Sequence, residues 1–205
     1  MLKIYLARHG QDQDNVNGIL NGHRDKPLTV LGQEQAKELA EKIKEIGIQF
    51  NKIYSSPLKR TYQTAEIIAD ILFLNKPEIL EDLIERNFGI MTGRLIKEIE
   101  PMCSPDIIET DTVTYFLSPD GAETFPQLIE RGREILNKIT NQHQDGNILL
   151  VTSGDIGKMI YAVYYNLNWR DVLTMFHFGN SDLLLLSRDL NPNEARVFAV
   201  KQYNC

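Results

Sequence analysis

An arginine, a histidine and a glycine stand together at Arg8-His9-Gly10, directly after the apolar run Leu2 to Ala7. A neutral imidazole is nucleophilic near pH 7, a guanidinium forks onto the oxygens of an anion, and a glycine lets the backbone turn tightly beside them. Where a strand gives way to a loop, such residues face the crevice in which α/β sheets bind ligands. Arg60 adds a second guanidinium at the start of an amphipathic stretch, where the unpaired N–H groups of a helix N-terminus favour an anion. Alone, the tripeptide is a weak signal, more often an arginine in a surface ion pair and a histidine packed at a strand end. Ser55 and Ser56, ahead of Pro57, read as turn and cap residues. The two cysteines, Cys103 and Cys205, form no cluster of metal-ligand spacing, so neither a metal nor another cofactor is expected.

The elements that must position these groups follow from apolar spacing. Leu2 to Ala7 and Asn147 to Thr152 read as buried strands that stop at Arg8-His9-Gly10 and Ser153-Gly154-Asp155. Between them a helix is predicted over 29–46, with Thr29 as N-cap and Gly47 as stop, then a strand over 52–55 and a helix over 60–72. A strand over 78–83, helices over 123–140 and 155–167, and closing strands over 183–187 and 195–201 complete the alternation. That order predicts an α/β fold, a mostly parallel sheet with helices on both faces. Residues 90–122, with Pro101, Pro105 and Pro119, break the pattern and read as a cap or lid inserted in a single domain spanning 1–205.

Composition bounds the partners. The chain of 205 residues is 42% hydrophobic and 24% charged, which is globular composition, and its formal net charge of -6 argues against a cation-driven grip on nucleic acid or anionic lipid. Lys3 and Arg8 interrupt the first apolar run, which is too short for a signal peptide, and no segment approaches the roughly 20 apolar residues of a membrane span. A cytoplasmic protein is expected; the oligomeric state is not readable.

Further matches stand beside the tripeptide. Asn15 follows it, Asp25-Lys26-Pro27-Leu28-Thr29 precedes the first helix, and Tyr54-Ser55-Ser56-Pro57-Leu58-Lys59-Arg60-Thr61-Tyr62-Gln63-Thr64-Ala65 joins a strand to a helix. The combination resembles the histidine phosphatase superfamily, the phosphoglycerate-mutase-like proteins, from Leu2 to at least Leu186. The resemblance implies that His9 takes a phosphoryl group, that Arg8 and Arg60 hold the phosphate, and that Asn15 donates to it. Leu83-Ile84-Glu85-Arg86-Asn87-Phe88-Gly89, with Gly93, matches the segment holding the family's acid, so Glu85 is the expected proton donor; the competing roles are a surface ion pair with Arg86 and a cap-side carboxylate. Asp120-Gly121-Ala122-Glu123-Thr124 resembles a further family segment, in which Glu123 either reaches substrate or serves only as a helix-start carboxylate.

Two positions depart from the pattern. Ser153 occupies the place of the family's second histidine, ahead of Gly154, and a hydroxyl donates one hydrogen bond but carries no positive charge. Ser153 and the Gly154 amide can still help to bind phosphate. Because the other motif positions are retained, the replacement reads as recent or introduced. Asp12 stands where the family carries Ser or Thr, and a carboxylate beside phosphate is expected to turn away or to pair with an arginine. His177, among aromatic residues, is a lesser candidate for the missing imidazole. The leading reading is a phosphomonoesterase that hydrolyses a small phosphorylated metabolite through a phosphohistidine on His9, impaired by Ser153. The alternative is a non-catalytic phospho-ligand binding protein. Phosphoglycerate mutase proper comes third, since that branch's longer insertion is missing.

Overall fold

Strand β1 (Leu2–Arg8) lies in the middle of the molecule because its side chains alternate between two apolar layers. Ile4 and Leu6 face one layer, Tyr5 and Ala7 the other. The computed structural model describes residues 1–189 and 191–202; Cys205 lies outside the described residues. After β1 come a short helix α1 (Gln13–Val16), helix α2 (Val30–Glu45), β2 (Lys52–Ser55), α3 (Lys59–Ile71) and β3 (Glu78–Ile79). A second run follows with α4 (Ile99–Cys103), β4 (Ile107–Glu109), β5 (Thr114–Phe116), α5 (Phe125–Gln142), β6 (Gly146–Thr152), α6 (Gly154–Tyr165), α7 (Trp169–Met175), β7 (Leu183–Leu186) and β8 (Arg196–Phe198).

Six strands form the main sheet in the order β3-β2-β6-β1-β7-β8. β3, β2, β6 and β1 run parallel, while β7 is antiparallel to β1 and β8 to β7. Helices α5, α6 and α7 cover one face, packing Leu128, Ile135, Met159, Ile160, Val172 and Leu173 on Ile148 and Leu150. α2 and α3 cover the other, with Leu39, Ile43, Ala65 and Ile68 on Leu149 and Val151. The expected mostly parallel α/β sandwich is therefore the observed one.

Several boundaries moved for physical reasons. The predicted strand over 78–83 is cut to two residues: Leu80 donates once more to the Ser55 carbonyl at 2.9 Å, and Glu81–Leu83 then turns as a 3-10 helix. The helix predicted over 123–140 begins two residues later, where Thr124 and Gln127 form a capping box. Asn166, at φ 54°, ends α6 in the left-handed region. α7, which the spacing did not reveal, starts on an Asn168 cap, and Lys158 of α6 closes its other end by donating to the Leu173 carbonyl at 2.8 Å. Residues 89–122 hold α4 and the β4–β5 hairpin around a small core of Phe88, Met91, Ile99, Cys103 and Phe116.

Candidate active site

Three parallel strands bring the candidate residues to one edge. Arg8 is in register with Thr152, and Ser55 with Val151; beyond the ladder, His9 N–H donates to the Thr152 carbonyl at 3.0 Å and Ser56 N–H to the Val151 carbonyl at 3.1 Å. His9 and Ser153 thus lie side by side at the carboxyl ends of β1 and β6, where such sheets bind ligands. Gly10 is required beside them because a Cβ there would collide with the backbone carbonyl of Gly32.

His9 is buried, and its bonds fix its tautomer. Nδ1 lies 2.7 Å from the Gly10 carbonyl, which can only accept, so Nδ1 carries the proton. Arg60 Nε, which can only donate, lies 3.2 Å from Nε2, so Nε2 presents its lone pair. Burial, with the charges of Arg60 and Arg8, holds the imidazole well below its ordinary range, so it is neutral at pH 7.

Arg60 is fully buried and more committed than a free phosphate clamp would be. Nη1 donates to the Arg24 carbonyl at 2.7 Å and Nη2 to the Gly22 carbonyl at 2.8 Å, leaving Nε toward His9 and, at 3.4 Å, toward Asp12 Oδ2. Asp12 thus pairs with an arginine, as its departure from the family pattern suggested. Its Oδ1 caps α1 by accepting from Asn15 N–H at 2.8 Å, and Asn21 donates to its Oδ2 at 2.8 Å. Asn15 Oδ1 accepts from the Asp12 amide at 3.2 Å and from Asn180 Nδ2 at 3.3 Å, so its amide nitrogen is the group left to donate. Asn180 also donates to the His9 carbonyl at 2.9 Å, a support for the site that the sequence did not single out.

Arg8 donates from Nη1 to the Phe178 carbonyl at 2.6 Å, while its buried Nε has no partner. The buried Ser153 hydroxyl likewise has none, although serine at a helix N-cap commonly bonds the first turn. A Cβ placed on Gly154 would lie 3.9 Å from Arg8 Nε and 3.9 Å from Glu85 Oε2, which locates guanidinium, carboxyl and helix start around one point. Two unpaired buried donors there suit an anion.

Glu85 takes its place from three backbone donors: Arg86 N–H to Oε1 at 2.8 Å, Ile156 N–H to Oε1 at 3.3 Å and Asp155 N–H to Oε2 at 3.4 Å. Burial, and next the charge of Asp155, raise its pKa despite those donors and Arg60. Arg131 of α5 grips the loop by donating to the carbonyls of Asp82 and Ile84, each at 2.6 Å. The competing ion pair between Glu85 and Arg86 is not formed, since the Arg86 guanidinium pairs with Asp155 instead, at 2.7 Å. Glu123 is held by Arg131 at 2.6 Å. His177, shifted down to about 4 by burial and by Arg8, Lys158 and Arg196, is neutral at pH 7 and supplies none of the charge a second histidine would.

The sheet order and this anion-ready carboxyl edge define an α/β protein of the phosphoglycerate-mutase-like class. Residues 4–199 match the model of the histidine phosphatase superfamily (branch 1), and the chain belongs to that family. It is 31% identical over 163 residues to phosphoglycerate mutase-like protein 4 of Arabidopsis thaliana, covering 78% of this chain and 69% of that one. It is 32% identical over 170 residues to a metal-independent phosphoserine phosphatase of the same plant, covering 78% and 67%. Among solved structures, the phosphoserine phosphatase of Entamoeba histolytica in complex with 3-phosphoglyceric acid superposes with a TM-score of 0.73 at 26% identity, over 90% of each chain. A mycobacterial glucosyl-3-phosphoglycerate phosphatase shares the fold with a TM-score of 0.76 at 22% identity, over 89% and 88%.

Proposed function

We propose that the chain is a phosphomonoesterase acting on a small phosphorylated metabolite through a phosphohistidine on His9. The observation that carries this is the fixed tautomer: Nδ1–H bonded to Gly10 leaves the Nε2 lone pair facing Arg60, beside the unpaired Nε of Arg8. In the first step the Arg60 Nε–H turns from Nε2 to a phosphate oxygen, and the freed Nε2 lone pair attacks phosphorus; the P–N bond forms as the P–O ester bond breaks, and Glu85 gives its proton to the departing oxygen, which leaves as an alcohol. In the second, the Glu85 carboxylate takes a proton from water whose oxygen attacks phosphorus. The P–N electron pair returns to the imidazole, and inorganic phosphate leaves. Arg8, Arg60, Asn15 and the Gly154 amide are the proposed phosphate-binding groups, and residues 90–122 the cap over the leaving group. The family's phosphoserine phosphatases and the bound 3-phosphoglyceric acid of one of them support small phosphorylated carboxylic acids as the first substrates to try.

Ser153 sets the expected rate. Losing one donor aimed at developing charge costs about 2.7 to 4 kcal/mol, or about 100- to 1,000-fold in turnover, so the chain as it stands is a slow phosphatase. Ser153→His is expected to raise turnover at least about tenfold on one member of a phosphomonoester panel including phosphoserine and 3-phosphoglycerate, with His9→Ala abolishing it. A silent revertant that still binds one of these compounds would replace the enzyme by a phospho-ligand binding protein, the reading that the Ser153 departure favours.

A further inference from the structure

Arg86 takes no part in the reaction as written, yet it is among the most enclosed charges in the molecule. It is 1% exposed. Its Nε donates to Asp155 Oδ2 at 2.7 Å and its Nη1 to the Glu123 carbonyl at 3.2 Å. Its guanidinium carbon stands 5.0, 4.4 and 4.5 Å from the ring centres of Phe88, Phe116 and Phe125. Ring faces and one carboxylate have replaced its water, so the side chain has little freedom.

A guanidinium clamped this way fixes the backbone on both sides of the ion pair. Arg86 N–H donates to Glu85 Oε1, and the first turn of α6, which Asp155 anchors, donates to both Glu85 oxygens through the amides of Asp155 and Ile156. All three donors that orient the Glu85 carboxyl therefore come from the two paired residues or their neighbour.

We infer that Arg86 and Asp155 are a positioning pair for the proton donor: their buried ion pair sets where the Glu85 carboxyl sits and which charges face it. The inference rests on Glu85 being the proton donor proposed above. The groups facing that carboxyl are Asp155 from α6, Arg60 from α3, Arg8 from β1 and Tyr115 from β5, with His23 and Arg131 on its backbone carbonyl. Behind burial, Asp155 is the charge that raises Glu85, and Arg86 partly neutralises it. Removing each charge should then move Glu85 in opposite directions.

The test is a carbon-13 NMR titration of the Glu85 carboxyl in the full chain, its signal assigned by its loss in Glu85→Gln. Asp155→Asn, nearly isosteric, is expected to move the midpoint to lower pH, and Arg86→Gln to higher pH. Packing damage alone would not move the two apart. In the Ser153→His background, Asp155→Asn should also carry the alkaline limb of the alkyl-phosphate kcat/KM profile to lower pH. Midpoints that stay put or move together overturn the pairing; if Arg86→Gln does not fold, an unmoved midpoint in Asp155→Asn does so alone. The titration needs no turnover, so opposed midpoints in a protein silent toward phosphomonoesters would sink the phosphatase and leave the Glu85 geometry standing.

Discussion

Arg60→Met keeps the apolar stem, removes the buried guanidinium, and measures how much of the site rests on that group. Both members of the Arg60–Asp12 pair are fully buried, and without Arg60 the carboxylate keeps, among the described residues, the hydrogen bonds of the Asn15 amide and the Asn21 side chain and the more distant charge of Arg24. Breaking one side of a buried pair costs about 3 to 5 kcal/mol. At about 2 to 4 °C per kcal/mol for a chain of this size, Tm should fall by roughly 6 to 20 °C. The pH dependence has a defined sign. Burial already raises the Asp12 carboxyl, and Arg60 is the strongest influence lowering it, so the variant raises it further. Between the unfolded carboxylate range and this raised native value, the folded chain holds a proton that the unfolded chain has lost. The variant therefore regains stability as pH falls into that window and loses it as pH rises through it. Urea unfolding across the acid range reads this directly, and adding Asp12→Asn should recover most of the loss at pH 7. Calorimetry should show phosphate affinity lower by about 1.5 to 3 kcal/mol, one charge-assisted hydrogen bond. An unchanged Tm, or a double variant no more stable than Arg60→Met, would refute the reasoning by showing that Asp12 is not left uncompensated.

Glu85→Gln, assayed with Ser153→His, should slow alkyl phosphates by about 100-fold or more and p-nitrophenyl phosphate far less, because a general acid matters most for a basic leaving oxygen; equal losses would take Glu85 out of that role. Gly10→Ala sets a Cβ against the Gly32 carbonyl, a backbone atom that cannot swing away, and overpacking of about 1 to 3 kcal/mol should lower Tm by roughly 2 to 12 °C in a thermal melt.

What the sequence disclosed depended on whether the stabilising partner was local. The apolar runs of β1 and β6 and the spacing of α2 and α3 are local signals, and the layers follow them. α7 is only seven residues long, too short for a clear period; its Asn168 cap is local, but its closure by Lys158 of the preceding helix depends on how the two helices pack. β3 ends early where Arg131, 49 positions from Asp82, draws the following carbonyls into a turn. At the site, Arg8, His9, Asn15, Arg60 and Glu85 carried motif signals. The carbonyls of Gly22 and Arg24 that occupy Arg60, and the Asp155 that takes Arg86 from Glu85, did not, because those partners meet only in the folded chain.

The start of α6 links the two halves of the proposed cycle. Ser153 holds the N-cap position without bonding the first turn through its hydroxyl, and the amides of Asp155 and Ile156 go to Glu85 instead. Helix-terminal amides stabilise the carboxylate, whereas burial and Asp155 stabilise the acid. A residue that must first donate a proton and then accept one needs both influences, with neither dominant. The donors that would oppose Glu85 as an acid are the ones that hold the carboxylate ready as a base once its proton has gone. A histidine at position 153 would bring charge to the phosphoryl group without taking these amides, but when protonated it would also face Glu85 and favour the carboxylate, so the Glu85 midpoint should fall in Ser153→His and fall further when Asp155→Asn is added.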